Sequence, residues 1–172
     1  QLGRGEPIAD TARVLSRMLD AIVLRTHKHA MLEIFANNSQ VPIINGLSDR
    51  FHPCQLLADM QTYLEHRGDI KGRRVAWIGD GNNMCHSYIN AAMAFDFQLS
   101  IACPEAYEPD KAIVQNAGDR VTLMHDPMQA AKNADLVATD VWASMGQEDE
   151  IKKRLHDFKD FMVTQKVMQQ AK

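Results

Sequence analysis

The sequence lacks a long apolar run, an excess of charge of either sign, internal repeats and low-complexity tracts. No stretch approaches the ~20 apolar residues that a membrane span requires. The formal net charge is −3, and Lys and Arg do not cluster with interleaved aromatic residues, which argues against a nucleic-acid surface. With 45% hydrophobic and 24% charged residues, the 172-residue chain is expected to fold around its own core, as one domain or two small ones.

Cysteine is also scarce. The three cysteines, Cys54, Cys85 and Cys103, are an odd number without metal-like spacing, and we interpret them as reduced thiols in a cytosol-like compartment. No signal peptide is recognisable, so a cytoplasmic location is expected. Five histidines also fit no metal spacing and are interpreted as solvated or structural: His27, His29, His86, His125 and His156.

Apolar runs of strand length alternate with segments of helical periodicity along most of the chain. From residue 71 onward, strands are predicted at 74–79, 98–102, 121–124, 136–139 and 161–163, and Pro109 is predicted to begin a helix. This alternation predicts an α/β fold with a parallel, doubly wound sheet. Upstream, a helix from Ile8 to near Asp20, a strand at 21–24, a helix around Ile34 and a strand at 41–44 predict part of a second α/β domain.

Residues 45–59, Asn-Gly-Leu-Ser-Asp-Arg-Phe-His-Pro-Cys-Gln-Leu-Leu-Ala-Asp, lead into a helix that should run to about His66. Pro53 suits the first turn of that helix, which places His52 and Gln55 on one face where the helix begins. The free backbone N–H groups and the helix dipole favour negative charge at such a point. A neutral imidazole beside an amide could polarise a carbonyl oxygen. The competing interpretation is that His52 merely caps the helix.

The strand at 74–79 runs into residues 80–83, Asp-Gly-Asn-Asn, and Gly79-Asp80-Gly81 invites comparison with a dinucleotide-binding loop. A Rossmann fingerprint needs a third small residue after the second glycine, and here that position is Met84. Nicotinamide binding is therefore disfavoured. The loop still follows a strand of a parallel sheet, where ligands bind, and an asparagine there can donate to a carboxylate without adding charge.

Two other strand ends carry charged side chains. Arg25 could bind a phosphate or carbonyl oxygen through its planar donors, or could be an ordinary surface arginine. Asp140, with the hydroxyl of Ser144 nearby, would make a good seat for an ammonium group. The alternative for Asp140 is a carboxylate that caps the following turn.

Several of these strings together resemble one family. Residues 45–49 and 52–59 resemble the His-Pro-x-Gln segment of carbamoyltransferases, in the form carried by ornithine carbamoyltransferases. Residues 140–148, Asp-Val-Trp-Ala-Ser-Met-Gly-Gln-Glu, resemble that family's ornithine-recognition loop, and residues 10–15 resemble the end of its carbamoyl-phosphate domain. The resemblance covers essentially the whole chain but not the whole family protein.

The resemblance implies three segments. Residues 1–48 would be the C-terminal part of a carbamoyl-phosphate-binding domain, residues 49–70 an interdomain helix, and residues 71–172 an ornithine-binding domain truncated at its C-terminus. The implied reaction transfers the carbamoyl group of carbamoyl phosphate to the δ-amine of L-ornithine, giving L-citrulline and phosphate in arginine metabolism. The resemblance implies no metal or organic cofactor, and a homotrimer or a multiple of trimers.

The resemblance also implies roles for individual residues. The carbamoyl group would be held and polarised by Arg25, His52 and Gln55. Ornithine would be bound by Asn83, Asp140 and Ser144, with Met145 in the pocket wall and Gln1 extended into a neighbouring subunit's site.

Two segments of the family are not found in this sequence. The phosphate-gripping Ser-x-Arg-Thr loop would precede Gln1, and the His-Cys-Leu-Pro segment would follow Lys172. We therefore expect residues 1–172 by themselves to be inactive. The alternative function is that of a non-catalytic homologue, which binds an amino acid or a partner through the same fold.

Overall fold

The computed structural model describes residues 5–143 and 150–172. The chain forms two compact units, Gln1–Ala58 and Asp59–Lys172, whose boundary falls within a helix. The helices are α1 (Ile8–Leu15), α2 (His29–Asn38), α3 (Pro53–Arg67), α4 (Asn83–Ala94), α5 (Lys111–Ala117), α6 (Pro127–Ala131), α7 (Ile151–Asp157) and α8 (Gln165–Met168). The strands are β1 (Ile22–Arg25), β2 (Ile43–Leu47), β3 (Arg74–Ile78), β4 (Gln98–Ala102), β5 (Val121–Met124) and β6 (Leu136–Ala138).

The first unit contains a parallel pair of strands, β1 beside β2, together with the packed helices α1 and α2. Side chains alternate along β1, with Ile22 and Leu24 buried and Val23 and Arg25 exposed. The buried pair joins Phe35 of α2 in the core of this unit. The apolar positions of β1 therefore anchor the strand and leave Arg25 at its carboxyl end, outside the core.

The second unit is built on a four-stranded parallel sheet with the order β5-β4-β3-β6. Four consecutive residues of β3, Val75 to Ile78, are buried, as expected for a central strand that is covered on both faces. Helix α6 packs on β3 and β4, and α4 packs on β4. The fold class predicted from the alternation of strands and helices is confirmed.

The strand order reverses beside β3, and this reversal positions the candidate site. The chain runs outward from β3 to β4 and β5, then returns to the other side of β3 as β6. In an open α/β sheet, such a reversal leaves a ligand crevice outside the carboxyl ends of the two strands. Trp77 pairs with Ala138 in the register, so the segments that follow β3 and β6 leave the sheet side by side.

Three predicted elements need correction. The strand predicted at 161–163 is wrong, because Phe161 ends a short 3-10 turn, Lys159–Phe161, and its ring packs edge-on against Phe158. One buried aromatic ring anchors this turn, so a run of apolar residues there does not require a sheet partner. Helix α1 ends at Leu15 rather than near Asp20, and Met18 beyond it is 71% exposed.

The third correction concerns the start of α5. The helix begins at Lys111 rather than Pro109, because Asp110 is its N-cap. The Asp110 carboxylate accepts hydrogen bonds from the N–H groups of Ala112 at 2.8 Å and Ile113 at 3.3 Å. The side-chain cap thus decides the boundary more strongly than the nearby proline.

Among the described residues, no helix is long and apolar enough to cross a membrane, and no group of three or more His, Cys, Asp or Glu residues is arranged to hold a metal ion. All three cysteines are free thiols, with Cys54 exposed and the other two buried. Burial raises the pKa of the Cys103 thiol to about 12 and also raises that of Cys85. These two side chains therefore behave as packed apolar groups rather than as nucleophiles.

Candidate functional site

Arg25, His52 and Gln55 all lie at the carboxyl edge of the parallel pair in the first unit. Arg25 is the last residue of β1 and lies opposite Leu47, the last residue of β2. His52 directly precedes α3, and its carbonyl accepts a hydrogen bond from the Leu56 N–H at 3.3 Å. Gln55 follows in the first turn and is exposed. This edge thus carries a guanidinium, an imidazole and an amide next to the N-terminus of a helix, which favours anionic groups.

In the second unit, Asn82 and Asn83 begin α4 in different ways. Asn82 is the N-cap, and its Oδ1 accepts hydrogen bonds from the N–H groups of Met84 at 3.0 Å and Cys85 at 3.1 Å. Asn83 is the first helical residue, half-buried, and its Oδ1 accepts from the same Met84 N–H at 2.9 Å. Both amides therefore stand at a helix N-terminus on the ligand side of the sheet.

Gly81, which suggests a dinucleotide loop in the sequence, is required here by packing. Its N–H donates to the Tyr107 carbonyl at 2.9 Å. A Cβ atom at this position would lie 2.3 Å from the backbone nitrogen of Pro109, a distance that no side chain tolerates. Glycine thus lets the loop after β3 pack against the segment after β4, which explains it without a bound pyrophosphate.

Asp140 follows β6 and is oriented through both of its carboxylate oxygens. Oδ2 accepts a hydrogen bond from Asn82 Nδ2 at 3.1 Å, and Oδ1 accepts from the Val141 N–H at 2.8 Å. The second bond is the turn-capping contact of the alternative interpretation. The first bond ties Asp140 to the asparagine loop across the strand reversal, so this carboxylate belongs to the same edge as Asn83.

A buried ion pair supports these loops and was missed in the sequence. Arg154 of α7 donates from one terminal nitrogen to Asp80 Oδ2 at 2.6 Å and to the Trp142 carbonyl at 2.9 Å. Its Nε donates to Glu150 at 3.1 Å, and its guanidinium lies 4.9 Å from the centre of the Tyr107 ring. One side chain therefore connects α7 to the segments that follow β3, β4 and β6.

The two charged side chains of this ion pair are largely shielded from solvent. The side chains of Arg154 and Asp80 are only 8% and 9% exposed. Burial raises the pKa of the Asp80 carboxyl, although the Arg154 guanidinium acts in the opposite direction, and the nearby charge of Asp140 adds to the rise. The Arg154 guanidinium thus offsets part of the desolvation that disfavours the Asp80 anion.

The remaining predicted site residues, Gln1, Ser144 and Met145, lie outside the described ranges. The structure brings Arg25, His52 and Gln55 to one edge, and Asn83 and Asp140 to another. Two further residues belong to this region: Asn82, which donates to Asp140, and Arg154, which pairs with Asp80 and supports the loops. Asn82 was identifiable in the sequence as a helix cap, whereas nothing local distinguishes Arg154 from its neighbouring cations.

Two family models together match most of the chain. The aspartate/ornithine carbamoyltransferase Asp/Orn binding domain matches residues 71–172, and the carbamoyl-P binding domain of the same family matches residues 1–65. Among curated relatives, the chain is 63% identical over its whole length to an ornithine carbamoyltransferase of Nitrosococcus oceani. It is 65% identical over 95% of its length to ornithine carbamoyltransferase 1, anabolic, of Pseudomonas savastanoi pv. phaseolicola.

Solved structures give the same result. Anabolic ornithine carbamoyltransferase from Campylobacter jejuni superposes on the whole chain with a TM-score of 0.93 at 39% identity, and the Pyrococcus furiosus ornithine carbamoyltransferase with 0.91 at 47% identity. The chain spans 57% and 54% of the lengths of the two curated relatives, and 59% and 57% of the two solved chains. On the match of both domains, the chain belongs to the aspartate/ornithine carbamoyltransferase family.

Proposed function

We propose that the full-length protein transfers the carbamoyl group of carbamoyl phosphate to the δ-amine of L-ornithine, giving L-citrulline and phosphate. The observation that carries this proposal is the hydrogen bond between Asn82 and Asp140 beside Asn83, at the strand reversal of the second unit. This edge offers a carboxylate and amides, which suit the ammonium and carboxylate of an amino acid. Relatives at 63% and 65% identity that are named ornithine carbamoyltransferases support the same substrate.

In the proposed reaction, the neutral δ-amine attacks the carbonyl carbon of carbamoyl phosphate. The carbonyl π electrons move onto oxygen, then return as the bond to the phosphate oxygen breaks, and the proton lost by the nitrogen ends on the departing phosphate, which leaves as hydrogen phosphate. Arg25, His52 and Gln55 donate hydrogen bonds to the carbamoyl group and stabilise the oxyanion. The helix start after His52 adds a positive potential close to the departing phosphate.

Ornithine is held by the other set of residues. Asn83 donates to the α-carboxylate, and Asp140 with Ser144 accepts from the α-ammonium, while Met145 forms part of the pocket wall. Gln1 reaches into the site of a neighbouring subunit. These contacts act by placing the amine against the carbonyl carbon, so their contribution is mainly one of orientation.

The proposal extends to the organisation of the protein. Residues 1–48 belong to the carbamoyl-phosphate domain, residues 49–70 to a connecting helix and residues 71–172 to the ornithine domain. The family matches to residues 1–65 and 71–172 support the two domains and the start of the second one. The assembly is a homotrimer or a multiple of trimers in the cytoplasm, as the family resemblance implies. The word anabolic in the name of the Pseudomonas savastanoi relative supports a role in arginine biosynthesis.

The test is an assay of the full-length protein with carbamoyl phosphate and three acceptors. We expect citrulline from L-ornithine, and at most traces of product from L-aspartate or from putrescine. Putrescine keeps both amines of ornithine but lacks the α-carboxyl group that Asn83 would bind. A protein that folds and binds ornithine without forming citrulline would instead support the non-catalytic homologue.

In the same assay, Asp140→Asn should raise the KM for ornithine by roughly ten- to a hundredfold. The reason is that a charge-assisted hydrogen bond to the ammonium is worth about 1.5–3 kcal/mol. The KM for carbamoyl phosphate should change far less.

Asp126→Asn is the matched control, because Asp126 is also a strand-following aspartate but only caps α6, through the Met128 N–H at 2.8 Å. It should leave the KM for ornithine as in wild type. An unchanged ornithine KM in the Asp140 variant would show that the ammonium is bound elsewhere.

A further inference from the structure

The loops that follow β1 and β2 are fastened to each other by a set of hydrogen bonds. The Thr26 N–H donates to the Leu47 carbonyl at 3.0 Å, and the Asp49 N–H donates to the His27 carbonyl at 2.7 Å. In return, the His29 N–H at the start of α2 donates to Asp49 Oδ1 at 2.9 Å. The first loop begins after Arg25, and the second ends at His52. The fastening therefore joins the two backbone segments that carry these side chains.

Ser48 stands at the centre of the second loop and is fully buried. Its N–H donates to the Phe51 carbonyl at 2.9 Å, which closes the turn that leads to His52. Its Oγ accepts from the Phe51 N–H at 3.2 Å and the Arg50 N–H at 3.4 Å. One serine thus sets the path of the backbone into α3.

Ser48 also makes a short side-chain hydrogen bond to His29, whose Nδ1 lies 2.8 Å from Ser48 Oγ. The His29 ring also lies edge-on to Phe51, with the ring centres 5.4 Å apart. The imidazole therefore contacts both ends of the turn formed by residues 48–51. It comes from α2, so it braces the turn from outside.

The direction of the short bond follows from the other contacts of the hydroxyl. Ser48 has one hydroxyl hydrogen, and His29 Nδ1 at 2.8 Å lies nearer to its Oγ than the Phe51 carbonyl does at 3.4 Å. The Phe51 carbonyl already accepts the Ser48 N–H. We assign the hydrogen to His29 Nδ1, which then accepts the short bond.

We propose that His29 and Ser48 are positioning residues for carbamoyl transfer, which brace the turn that presents His52 while Arg25 is held through the adjoining loop. This proposal rests on the proposed function. Neither residue is assigned to touch substrate. A donor that polarises a carbonyl must be held within a fraction of an ångström, so loosening the turn should lower the rate at which bound carbamoyl phosphate reacts.

The test compares three variants of the full-length protein. His29→Leu removes the nitrogen that accepts the Ser48 hydroxyl hydrogen and puts an apolar side chain in its place. It should lower kcat and kcat/KM for carbamoyl phosphate by about three- to tenfold. The KM for ornithine should stay within about twofold of wild type. His29→Asn places an amide oxygen near the position of Nδ1 and should restore most of kcat. His66→Leu is the control, because His66 is an exposed histidine in the last turn of α3 and belongs to neither of the two loops.

A His29→Leu protein with wild-type kinetics would overturn the proposal, and so would equal losses in the leucine and asparagine variants. The absence of citrulline formation in wild type would instead refute the proposed function. The bracing is then measured by nuclear magnetic resonance, as the chemical shift of a ring carbon of His52, which should change in His29→Leu but not in His66→Leu. If His29→Leu does not fold, the ring nitrogens of wild-type His29 decide: a protonated Nδ1 in the neutral ring would contradict the assigned hydrogen bond.

Discussion

Replacing His52 with alanine should lower the kcat of the full-length protein for citrulline formation by about 10²–10³-fold, since this is the usual effect of removing one donor to a developing oxyanion. The imidazole directly precedes α3, at the edge that also carries Arg25 and Gln55. Its contribution is made in the transition state, so the KM for ornithine should change little. The measurement is steady-state kinetics with each substrate varied in turn.

His66→Ala is the matched control for this prediction. His66 lies in the last turn of the same helix and is exposed, so its loss removes a histidine of α3 without touching the candidate site. Its kcat should equal that of wild type. A His52→Ala protein that keeps more than about a third of wild-type kcat would mean that His52 only begins the helix, as the simpler interpretation of its position has it.

Much of the fold was predictable because its signals are local. Strands β4 and β5 have the predicted limits, since each is a short apolar run set off by turn residues. The run at 161–163 carries a similar signal, yet Phe161 inserts its ring beside Phe158 and the backbone forms a turn. Whether an apolar run finds a strand partner depends on the other strands, which the run itself does not encode.

The candidate site was predictable only where backbone geometry decides it. Parallel strands send their carboxyl ends to one edge, which is enough to place Arg25 and His52 in one group. The partner of Asp140 was not predictable, because Asn82 and Asn83 are chemically identical and lie far from it in sequence. Only the capping geometry of α4 determines that Asn82 makes the contact.

Arg154 shows the same limit most clearly. It lies in a run of charged residues in α7 and makes its shortest contact with Asp80, 74 positions away. A charge run normally indicates a solvated face, whereas here one of the cations is buried and bridges three loops. The packing of α7 against the sheet decides which cation turns inward.

Arg154→Met should therefore lower the free energy of unfolding of the second unit by about 3–5 kcal/mol, as expected when one partner of a buried ion pair is removed. Asp80 would remain as a buried carboxylate without its cation, and the Trp142 carbonyl would lose a donor. The measurement is denaturant unfolding of the full-length protein followed by tryptophan fluorescence, since Trp77 and Trp142 both lie in this unit. Arg13→Met, which breaks an exposed pair with Asp10, should cost less than about 1 kcal/mol.

The pH dependence of the stability lost in Arg154→Met distinguishes the effect of the buried charge from the effect of packing. Without the guanidinium, the pKa of Asp80 in the folded protein should rise further above its ordinary value, because burial already raises it. A carboxyl whose pKa is higher in the folded than in the unfolded state takes up protons on folding. The free energy of unfolding of Arg154→Met should therefore fall as the pH rises through the folded-state pKa of Asp80. The destabilisation should thus be smaller at acidic than at neutral pH, and most of it should disappear in Asp80→Leu/Arg154→Met, where no buried charge remains. A loss that is equal at both pH values and persists in the double variant would show that packing, rather than the buried charge, makes Arg154 necessary.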